Sequence, residues 1–360
     1  MHRDSDQAPT RPEVSVVICT FTEQRWERLV CAVESVQQQS VPPDEIIVVV
    51  DHNPPLYEVI RSRFPEVIVG ENHEKAGLSE ARNSGVALAR GAIIAFIDDD
   101  AVAAPDWLEH LLAAYQDEQV MGVGGAIHSV WASGRPAWFP REFDWVLGCT
   151  YVGSPEESAP VQRLIGCNMS FRREVFDRIG RFRSEIGRVG NRPFAGEETE
   201  FSIRACQHSP DRVILFVPQA RVDHHVPNTR ARWSYFLSRC YAEGLSKALL
   251  SRFVGYGDGL KMEWSYVLKT LPRGILRGVL DTIRQGNLDG VARALAIVAG
   301  LFATVAGFGR CTISIHLANL FRSRSHARAR ARASIGQRKS RHTSPRQAEP
   351  SPNTEESVTG

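Results

Sequence analysis

The sequence lacks the closely spaced cysteines of a disulfide-bonded or zinc-binding protein. Its seven cysteines are odd in number and far apart, and no Cys-x-x-Cys pair occurs. Because disulfide frameworks and structural zinc sites need paired cysteines, both are excluded and a reducing compartment is expected. The N-terminal residues are polar and contain no apolar core, so a secretory signal peptide is not expected.

Two glycine-rich nucleotide-binding motifs are also absent. The chain has no GxxxxGK(S/T), and no GxGxxG follows its first apolar run. These absences argue against a P-loop NTPase and a nicotinamide-dependent dehydrogenase. A nucleotidyltransferase is weakly supported, because such enzymes usually have a glycine-rich basic loop where this chain has ICTFTEQR.

Positive charge is concentrated near the C-terminus. The formal net charge is +2, yet residues 322–346 contain nine lysines and arginines and no acid, which leaves −7 for the remainder. A uniformly basic nucleic-acid-binding protein is thereby excluded, and no nucleic acid partner is expected. Hydrophobic residues make up 43% and charged residues 23%, which excludes a wholly disordered chain, a collagen-like fibre and a polytopic membrane protein.

Short apolar runs alternate with helical patterns in the N-terminal part of the chain. Each run is rich in β-branched residues, as in a buried strand, and the segments between them repeat apolar residues at helical spacing. This alternation predicts an α/β fold with a mostly parallel sheet and helices on both faces. The predicted strands are Val14–Cys19, Ile46–Val50, Val67–Val69 and Ile93–Ile97, and the predicted helices are Trp26–Val36, Leu56–Phe64 and Leu78–Ala89.

The later sequence is less regular and then becomes helical. We expect a helix over Pro105–Glu118, a long ordered loop over Trp131–Pro160, and helices from residue 229 to about residue 321. Further strands are predicted at Val120–Val130, Arg163–Arg172 and Val213–Val217. The chain is therefore divided into a disordered leader (1–12), an α/β domain (13–232), a C-terminal helical region (233–321) and a basic, Ser/Pro-rich disordered tail (322–360).

Three consecutive aspartates, Asp98 to Asp100, follow the fourth predicted strand. The carboxyl ends of parallel strands meet at one edge of a sheet, where ligands bind. Asp98 and Asp100 point the same way in an extended backbone, and a hard divalent cation would relieve their repulsion. The alternative is a solvated turn that closes the strand.

Four segments in order resemble family-2 glycosyltransferases, over about Val14 to Arg232: SVVICTFTE, IIVVVDHN, GLSEARNSGVALARGAIIAFIDDD and GEETEF. The resemblance implies a GT-A-type, Rossmann-like fold and inverting transfer from a nucleotide-diphosphate sugar. It also implies that the aspartates are the family's D-x-D motif, with Asp98 and Asp100 as anchors and Asp99 near the sugar. Mn²⁺ or Mg²⁺ is the implied cofactor.

The same resemblance suggests a donor pocket around the first three strands. Thr20 and Glu23 are expected beside the nucleoside, and Asp51 at the base or ribose. Gly77 permits a close backbone approach, while Arg82 and Asn83 suit the diphosphate or, for Arg82, a pair with Asp98. The donor-binding set is thus Thr20, Glu23, Asp51, Gly77, Arg82, Asn83, Asp98 and Asp99. Structural roles are the alternatives. Glu23 could be an acid that stabilises a helix N-terminus, and Arg82 could form a solvated ion pair on a capped amphipathic helix.

Glu197 and Glu198 are the candidate catalytic carboxylates. Inverting transfer to a hydroxyl requires a base, and the family usually has Glu followed by Asp, with the Asp as base. Here Glu198 occupies that position, so it is the first choice and Glu197 the second. There are two alternatives. The two glutamates could simply be the negative charges that stabilise a helix N-terminus, or they could orient a phosphate acceptor, which needs no base.

Late histidines and aromatic residues complete the predicted site. The resemblance suggests that either His224 or His225 meets the metal or diphosphate, and a surface or capping role is the alternative. The resemblance suggests that Asn168, in GCNMSFRR, lies on the acceptor side. Trp138 and Trp145 are expected there because aromatic rings stack on sugars. Packing within the loop would explain the aromatic residues equally well.

Two C-terminal segments suit a membrane surface. Arg273–Arg284 has an apolar face and basic residues elsewhere, and Ala294–Gly309 is an uncharged stretch of 16 residues, slightly short for a span. With the basic tail, they predict association with the anionic, cytoplasmic face of the cell membrane. An ordinary helical appendage with a solvated tail is the alternative.

The combined pattern predicts a metal-dependent inverting glycosyltransferase. The donor would be a nucleotide-diphosphate sugar, and the acceptor an envelope glycan or a polyprenyl-linked sugar. The alternative is a non-catalytic nucleotide-sugar or glycan-binding protein that keeps the fold. Intact Asp98, Asp100 and Glu198 favour the enzyme, since a binding protein need not retain both halves of a catalytic site.

Overall fold

A nine-stranded sheet forms the centre of the computed structural model, which describes residues 11–187, 196–255, 257 and 264–341. Its spatial order is β3-β2-β1-β4-β8-β6-β9-β5, with β7 beside β9. The strands are β1 Val14–Thr20, β2 Glu45–Asp51, β3 Ile68–Asn72, β4 Ile93–Asp98, β5 Ala101–Ala103, β6 Val120–Trp131, β7 Ala159–Val161, β8 Asn168–Arg172 and β9 Val213–Val226.

The first four long strands form the predicted parallel sheet. Cys19 of β1 pairs in register with Val49 of β2 and with Asp98 of β4, so the carboxyl ends of these strands lie side by side. The other half departs from the prediction, because β5, β7 and β8 pair antiparallel with their neighbours. The sheet is therefore mixed rather than mostly parallel.

Helices cover both faces of the sheet, as predicted. Successive side chains of a strand point to opposite faces, so Val16 and Ile18 join one hydrophobic core and Val17 joins the other. The helices are α1 Trp26–Gln37, α2 Pro54–Arg63, α3 Leu78–Leu88, α4 Trp107–Ala114, α5 Arg173–Ile179, α6 Glu197–His208, α7 Trp233–Val254, α8 Leu271–Gln285 and α9 Asp289–Arg341.

Three predicted segments have different bounds in the structure. Of the strand predicted over Arg163–Arg172, the residues from Asn168 onwards pair in the sheet. The strand predicted at Val213–Val217 continues to Val226 beyond an irregularity at Pro218. The loop Trp131–Pro160 contains a 3₁₀ turn at Arg141–Leu147 and the first residues of β7.

The helices after residue 232 pack into the same core as the sheet. Leu271 of α8 and Ile297 of α9 are buried in that core, and a Cβ at Gly300 would overlap Phe143 and Phe236. Residues up to Cys311 form one compact unit and those from Thr312 another. The predicted boundary at 232 therefore does not separate two compact units, because apolar contacts join the residues on either side of it.

The end of the chain also differs from its prediction. Helix α9 continues to Arg341, so residues 322–341 of the predicted disordered tail are helical. Alanine and arginine dominate this segment and both have high helix propensity. Residues 342–360 of the tail and 1–10 of the predicted leader lie outside the described residues.

Candidate active site

A cavity of about 220 Å³ opens at the carboxyl edge of the sheet. The loops after β1 and β4, the start of α6, the end of β9 and the C-terminal helices all contribute to its lining. The charged side chains and the histidine around it are Arg25, Arg82, Asp98, Asp100, Arg163, Glu197, Glu198, His224, Arg230, Arg239, Glu243 and Lys247. The cavity thus brings most of the predicted metal and catalytic residues together.

Asp99 is buried and contacts the end of β1 and the turn that follows it. The Thr20 hydroxyl donates to one of its oxygens at 2.8 Å, and Arg25 Nη1 donates to the other at 2.7 Å. Burial, and next the charge of Asp100, raise the pKa of Asp99 to about 6. Thr20 therefore contacts the acidic triplet, and Arg25, which the sequence analysis did not select, holds two of its members.

Asp100 is enclosed by cationic side chains. Its carboxylate lies 3.1 Å from His224 Nε2, 3.3 Å from Arg25 and 3.6 Å from Arg230. Burial opposes its ionisation, but these neighbours, His224 first, hold the pKa of Asp100 far below its usual range. Burial favours the neutral ring of His224, but the Asp100 carboxylate raises the pKa of His224 to about 10.

The two late histidines point to opposite sides of β9, as neighbours on a strand do. His224 is buried and lines the cavity, whereas His225 is half-buried and is not among the described lining residues. The backbone N–H of His225 donates to the Asp100 carbonyl at 2.8 Å. Of the two, His224 is therefore the one placed to meet a metal or diphosphate.

The donor atoms around Asp98 fit a divalent cation. One atom each from Asp98, Cys167 and His224 lie within 4.8 Å of one another, and Asp100 contacts the same histidine. Carboxylates suit both Mn²⁺ and Mg²⁺, and a neutral imidazole is acceptable to Mn²⁺. Burial raises the pKa of Cys167 well above its usual value, so this thiol is neutral and a poor ligand for such ions. The two carboxylates are the fitting donors, and the His224 ring can join them only when the metal displaces the proton that it holds beside Asp100.

Arg82 connects the acidic triplet to the start of α6. Its Nη1 donates to Glu197 Oε1 at 2.7 Å, and its Nη2 donates to the Gly166 carbonyl at 3.1 Å and to Asp98 at 3.3 Å. The Arg82 and Glu197 side chains are each 3% exposed. The expected pairing of Arg82 with Asp98 is present, and the contact with Glu197 was not foreseen.

Glu198 is the carboxylate with the pKa best suited to proton transfer. Gly196, with a φ of 117° that favours glycine, begins α6 and brings both glutamates to the cavity. Burial, and next the charge of Glu197, raise the pKa of Glu198 to about 8. Because a base works best with a pKa near the working pH, Glu198 has the chemistry of a general base.

Asp51 and Gly77 lie together at the ends of β2 and the loop before α3. The Gly77 N–H donates to Asp51 Oδ2 at 2.9 Å, and Asn72 donates to Asp51 Oδ1 at 2.7 Å. Gly77 has a φ of 145°, a backbone conformation that favours glycine. Glu23 is exposed in the 3₁₀ turn before α1. These residues border the sheet edge but are not among the described lining residues of the cavity.

Asn83 does not have the predicted donor-facing position. Its Oδ1 accepts from the Phe182 N–H and its Nδ2 donates to the Phe182 carbonyl, both at 3.0 Å. The amide therefore holds the loop after α5 against α3. A primary amide pairs with a backbone peptide in both directions, which explains why this polar motif residue is buried rather than open to a ligand.

Two of the three predicted acceptor-side residues also have structural roles. Trp138 packs against Trp233 and Phe236, with ring centroids 4.9 and 5.6 Å apart. The buried Asn168 donates to the Ala220 carbonyl at 2.7 Å and accepts from the Trp107 indole at 2.8 Å. Neither is among the described lining residues, whereas Trp145 lines the cavity and donates to the Tyr266 hydroxyl at 2.9 Å.

The contribution of the C-terminal helices to the cavity was not predicted from the sequence. Arg239, Glu243 and Lys247 of α7 line the cavity, and four apolar or aromatic side chains from later segments lie there as well. Those four are Tyr266, Val267, Leu271 and Leu301. The i, i+4, i+8 spacing on α7 was the available signal, since it places three charges on one helix face.

Comparisons with known proteins agree with this geometry. The model of glycosyl transferase family 2 matches residues 15–180. The glucosyl-dolichyl phosphate glucuronosyltransferase of Haloferax volcanii is 31% identical over 301 residues, which cover 82% of this chain and 95% of the relative. The succinoglycan biosynthesis protein ExoM of Rhizobium meliloti is 26% identical, over 59% of this chain and 65% of the relative.

A solved structure supports the fold. The mannosyltransferase PcManGT from Pyrobaculum calidifontis, in complex with GDP-Man and Mn²⁺, aligns with a TM-score of 0.54 at 16% sequence identity. The alignment covers 83% of this chain and 88% of that one. The sheet therefore has the GT-A-type architecture that the resemblance implied. The match to the family model and the 31% identity over nearly the whole Haloferax relative assign the chain to glycosyltransferase family 2.

Proposed function

We propose that this glycosyltransferase transfers a sugar from a nucleotide-diphosphate sugar to a lipid-linked sugar acceptor, with inversion and with a divalent metal. One observation carries the proposal: Arg82 joins Asp98, at the predicted metal and donor site, to Glu197, beside the candidate base. The proposed donor half and the proposed base of an inverting transfer site would thus share one cavity. A sugar-nucleotide-binding protein would not need the second half.

Asp98, Asp100 and His224 would hold Mn²⁺ or Mg²⁺. When bound, the metal would supply positive charge to the diphosphate leaving group. Thr20, Glu23, Asp51, Gly77 and Asp99 border the neighbouring sheet edge and are proposed to bind the nucleoside and the donor sugar. Arg25 and Arg230 contact Asp100 and are additional cations for the diphosphate.

Glu198 is the proposed general base. Its carboxylate would accept the proton of an acceptor hydroxyl as that oxygen attacks the anomeric carbon. The bond from the anomeric carbon to the diphosphate oxygen breaks, and the diphosphate departs with its electron pair. Because this is one displacement, the configuration at the carbon inverts. Arg82 and Glu197 would hold the start of α6 in position for this step.

The acceptor class comes from the Haloferax relative, whose name specifies a glucosyl-dolichyl phosphate acceptor. Such an acceptor offers a sugar hydroxyl, so a base is needed. It also has an isoprenoid chain that remains in a membrane. We therefore favour a glycosylated polyprenyl phosphate over an envelope glycan as the acceptor.

The surface of α8 supports association with a membrane. Leu276, Val279, Leu280 and Ile283 are exposed on this helix, with Arg277 among them. The segment Asp289–Ser314 is long and apolar enough to cross a membrane by composition, yet 28% of its most apolar window is buried in the protein. We propose that both helices lie in the interface of the anionic, cytoplasmic leaflet, because α9 also packs on the core.

A donor screen tests the function. Full-length protein in mild detergent would receive a panel of nucleotide sugars, a membrane lipid extract and Mn²⁺, and mass spectrometry would detect the mass added to a lipid. Transfer should stop with EDTA and in the Glu198→Gln variant. Nucleotide-sugar binding with neither transfer nor hydrolysis would instead favour the non-catalytic binding protein.

A further inference from the structure

Cys167 lies directly beside the proposed metal site. In the antiparallel pairing of β4 with β8, Ile97 is in register with Asn168, so the next position of the ladder brings Cys167 opposite Asp98. Residues that lie opposite each other on neighbouring antiparallel strands have their side chains on the same face of the sheet. The strand register therefore places the Cys167 sulfur beside a carboxylate that is proposed to hold the metal.

Donor atoms of three kinds meet at this place. One ligand atom each from Asp98, Cys167 and His224 lie within 4.8 Å of one another, and all three residues line the cavity. Cys167 and His224 are both buried, so bulk water competes little for their donor atoms. The Nε2 atom of His224 also lies 3.1 Å from the Asp100 carboxylate. A thiol, an imidazole and two carboxylates thus form one cluster.

This mixed cluster has the ligand types that zinc takes in proteins. Zn²⁺ binds four ligands in a tetrahedron at about 2.0–2.3 Å, and cysteine, histidine and aspartate are its usual donors. In that geometry the ligand atoms are about 3.3–3.7 Å apart. The separations of 4.8 Å or less at Asp98, Cys167 and His224 are therefore closed by side-chain shifts of about 1 Å.

The thiol distinguishes zinc from the metals proposed for transfer. The Cys167 thiol and the His224 ring each hold a proton that a coordinated metal must displace. Zn²⁺ exceeds Mn²⁺ in affinity for nitrogen and sulfur donors, and a thiol that coordinates zinc is deprotonated outright. Mn²⁺ and Mg²⁺ instead prefer the oxygens of Asp98 and Asp100. The same cavity thus offers one donor set to hard ions and a larger set to zinc.

We propose that Asp98, Asp100, Cys167 and His224 form an inhibitory zinc site that competes with the metal used for transfer. This inference rests on the proposed function, because it concerns the regulation of the same metal site. Four protein ligands complete the tetrahedral coordination of zinc and leave no position for a diphosphate oxygen. An octahedral Mn²⁺ or Mg²⁺ held by the two aspartates keeps positions open for the donor.

Cobalt spectroscopy on the wild-type protein tests the site without a variant. Co²⁺ replaces zinc in tetrahedral sites, and a thiolate ligand gives it an intense near-ultraviolet charge-transfer band. Full-length protein in mild detergent would be stripped with EDTA, freed of chelator and titrated with Co²⁺. The band should reach its full height with an equimolar amount of Co²⁺, and Zn²⁺ should abolish it. A cobalt complex without thiolate absorption would overturn the proposal.

Cys167→Ser assigns the thiolate to its residue. This variant should lose the charge-transfer band and bind Zn²⁺ at least about tenfold more weakly, since even the loss of an outer-shell partner costs about 10–100-fold in metal affinity. Its affinity for Mn²⁺ should fall less, so the ratio of zinc affinity to manganese affinity should decrease. Cys31→Ser, at an exposed thiol on α1, is the matched control and should keep the wild-type band and affinities. Equal losses in the two variants would show non-specific thiol binding and overturn the site.

Nucleotide-sugar binding separates this inference from the function beneath it. Calorimetry would measure the affinity of the wild-type protein for a panel of nucleotide sugars in Mn²⁺, before and after an equimolar amount of Zn²⁺ is added. Zinc should weaken the binding at least about tenfold, as loss of the transfer metal from its site requires. Binding in Mn²⁺ that zinc does not weaken would overturn the inhibitory site alone. Absence of nucleotide-sugar binding in Mn²⁺ would instead overturn the proposed function, whether or not the cobalt band appears.

Discussion

Arg82 donates a 2.7 Å hydrogen bond to Glu197, and the two side chains are almost fully buried although 115 positions separate them. The contact fixes α3 against the start of α6. The second Glu197 oxygen is buried and has no hydrogen-bond partner among the described residues. Arg82 is therefore the main compensation for this carboxylate, and the position of the neighbouring Glu198 depends on it.

Replacing Arg82 with methionine should destabilise the protein by about 3–5 kcal/mol, because it leaves a buried carboxylate without its counter-charge. The double variant Arg82→Met, Glu197→Gln should recover part of this loss, since the uncompensated charge is then removed. Urea unfolding followed by circular dichroism would measure both. A double variant no more stable than Arg82→Met would show that Arg82 stabilises the fold through its other contacts.

Glu198→Gln should leave nucleotide-sugar affinity nearly unchanged and reduce transfer at least ~10²-fold, the scale of lost general-base catalysis. The amide keeps the shape of the side chain but does not accept the proton. Calorimetry and a transfer assay would measure the two effects. Near-normal transfer to a hydroxyl acceptor would exclude Glu198 as the base, and Glu197 would then be the next candidate.

The raised pKa of Glu198 gives transfer a defined pH dependence. A base must be deprotonated to work, and burial together with Glu197 raises the pKa of Glu198 to about 8. Therefore kcat/KM should rise about tenfold per pH unit below that value and level off above it. Glu197→Gln removes the like charge, so the inflection should move to lower pH. A profile flat from pH 6 to 9 would contradict this assignment.

His224 and His225 provide a matched pair for the metal site. His224→Ala should weaken nucleotide-sugar binding in Mn²⁺ about tenfold or more, because it removes a candidate ligand beside Asp100. His225→Ala should bind like the wild type, since its ring lies outside the cavity lining. Asp100→Ala should abolish the Mn²⁺-dependent part of binding while the protein stays folded. Equal effects at the two histidines would argue against the proposed ligand set.

The place of the acidic triplet could be predicted from the sequence, because four parallel strands bring their carboxyl ends to one edge. Which of His224 and His225 faces the cavity could not be predicted from the sequence. Proline normally ends a strand, which limited the predicted strand to Val217. In the structure, the four residues from Pro218 to Arg221 lie opposite the single residue Ala126 of β6, and the strand then continues through His224.

The polar motif residues show a second limit of sequence reasoning. Arg82 and Asn83 are adjacent in one helix, yet Arg82 reaches the cavity and Asn83 binds the Phe182 backbone. The Asn168 amide is likewise hydrogen-bonded to the Ala220 carbonyl and to the Trp107 indole. Sequence indicates which side chains can bind a ligand, but a buried amide takes whatever partner tertiary packing supplies.

Membrane association should depend on the apolar face of α8. Leu280→Ser and Ile283→Ser together should reduce binding to anionic vesicles about tenfold or more, since burying each such side chain contributes about 1.5–3 kcal/mol. Val59→Ser, at a side chain also exposed but on α2, is the matched control and should bind like the wild type. Point substitutions suit this test better than truncation, because Leu271 and Ile297 belong to the core. Flotation with phosphatidylglycerol vesicles would measure the bound fraction.

Salt then separates the two contributions to that binding. Raising the ionic strength screens attraction between basic residues and lipid headgroups but leaves apolar burial intact. Wild-type protein should therefore be released only in part by 1 M salt, while the Leu280→Ser, Ile283→Ser variant should be released almost completely. Complete release of wild-type protein would mean that its charges alone hold it at the surface. Wild-type protein that fails to float at low salt would instead make α8 an ordinary solvent-facing helix, and the lipid acceptor would then have to be brought to the cavity from solution.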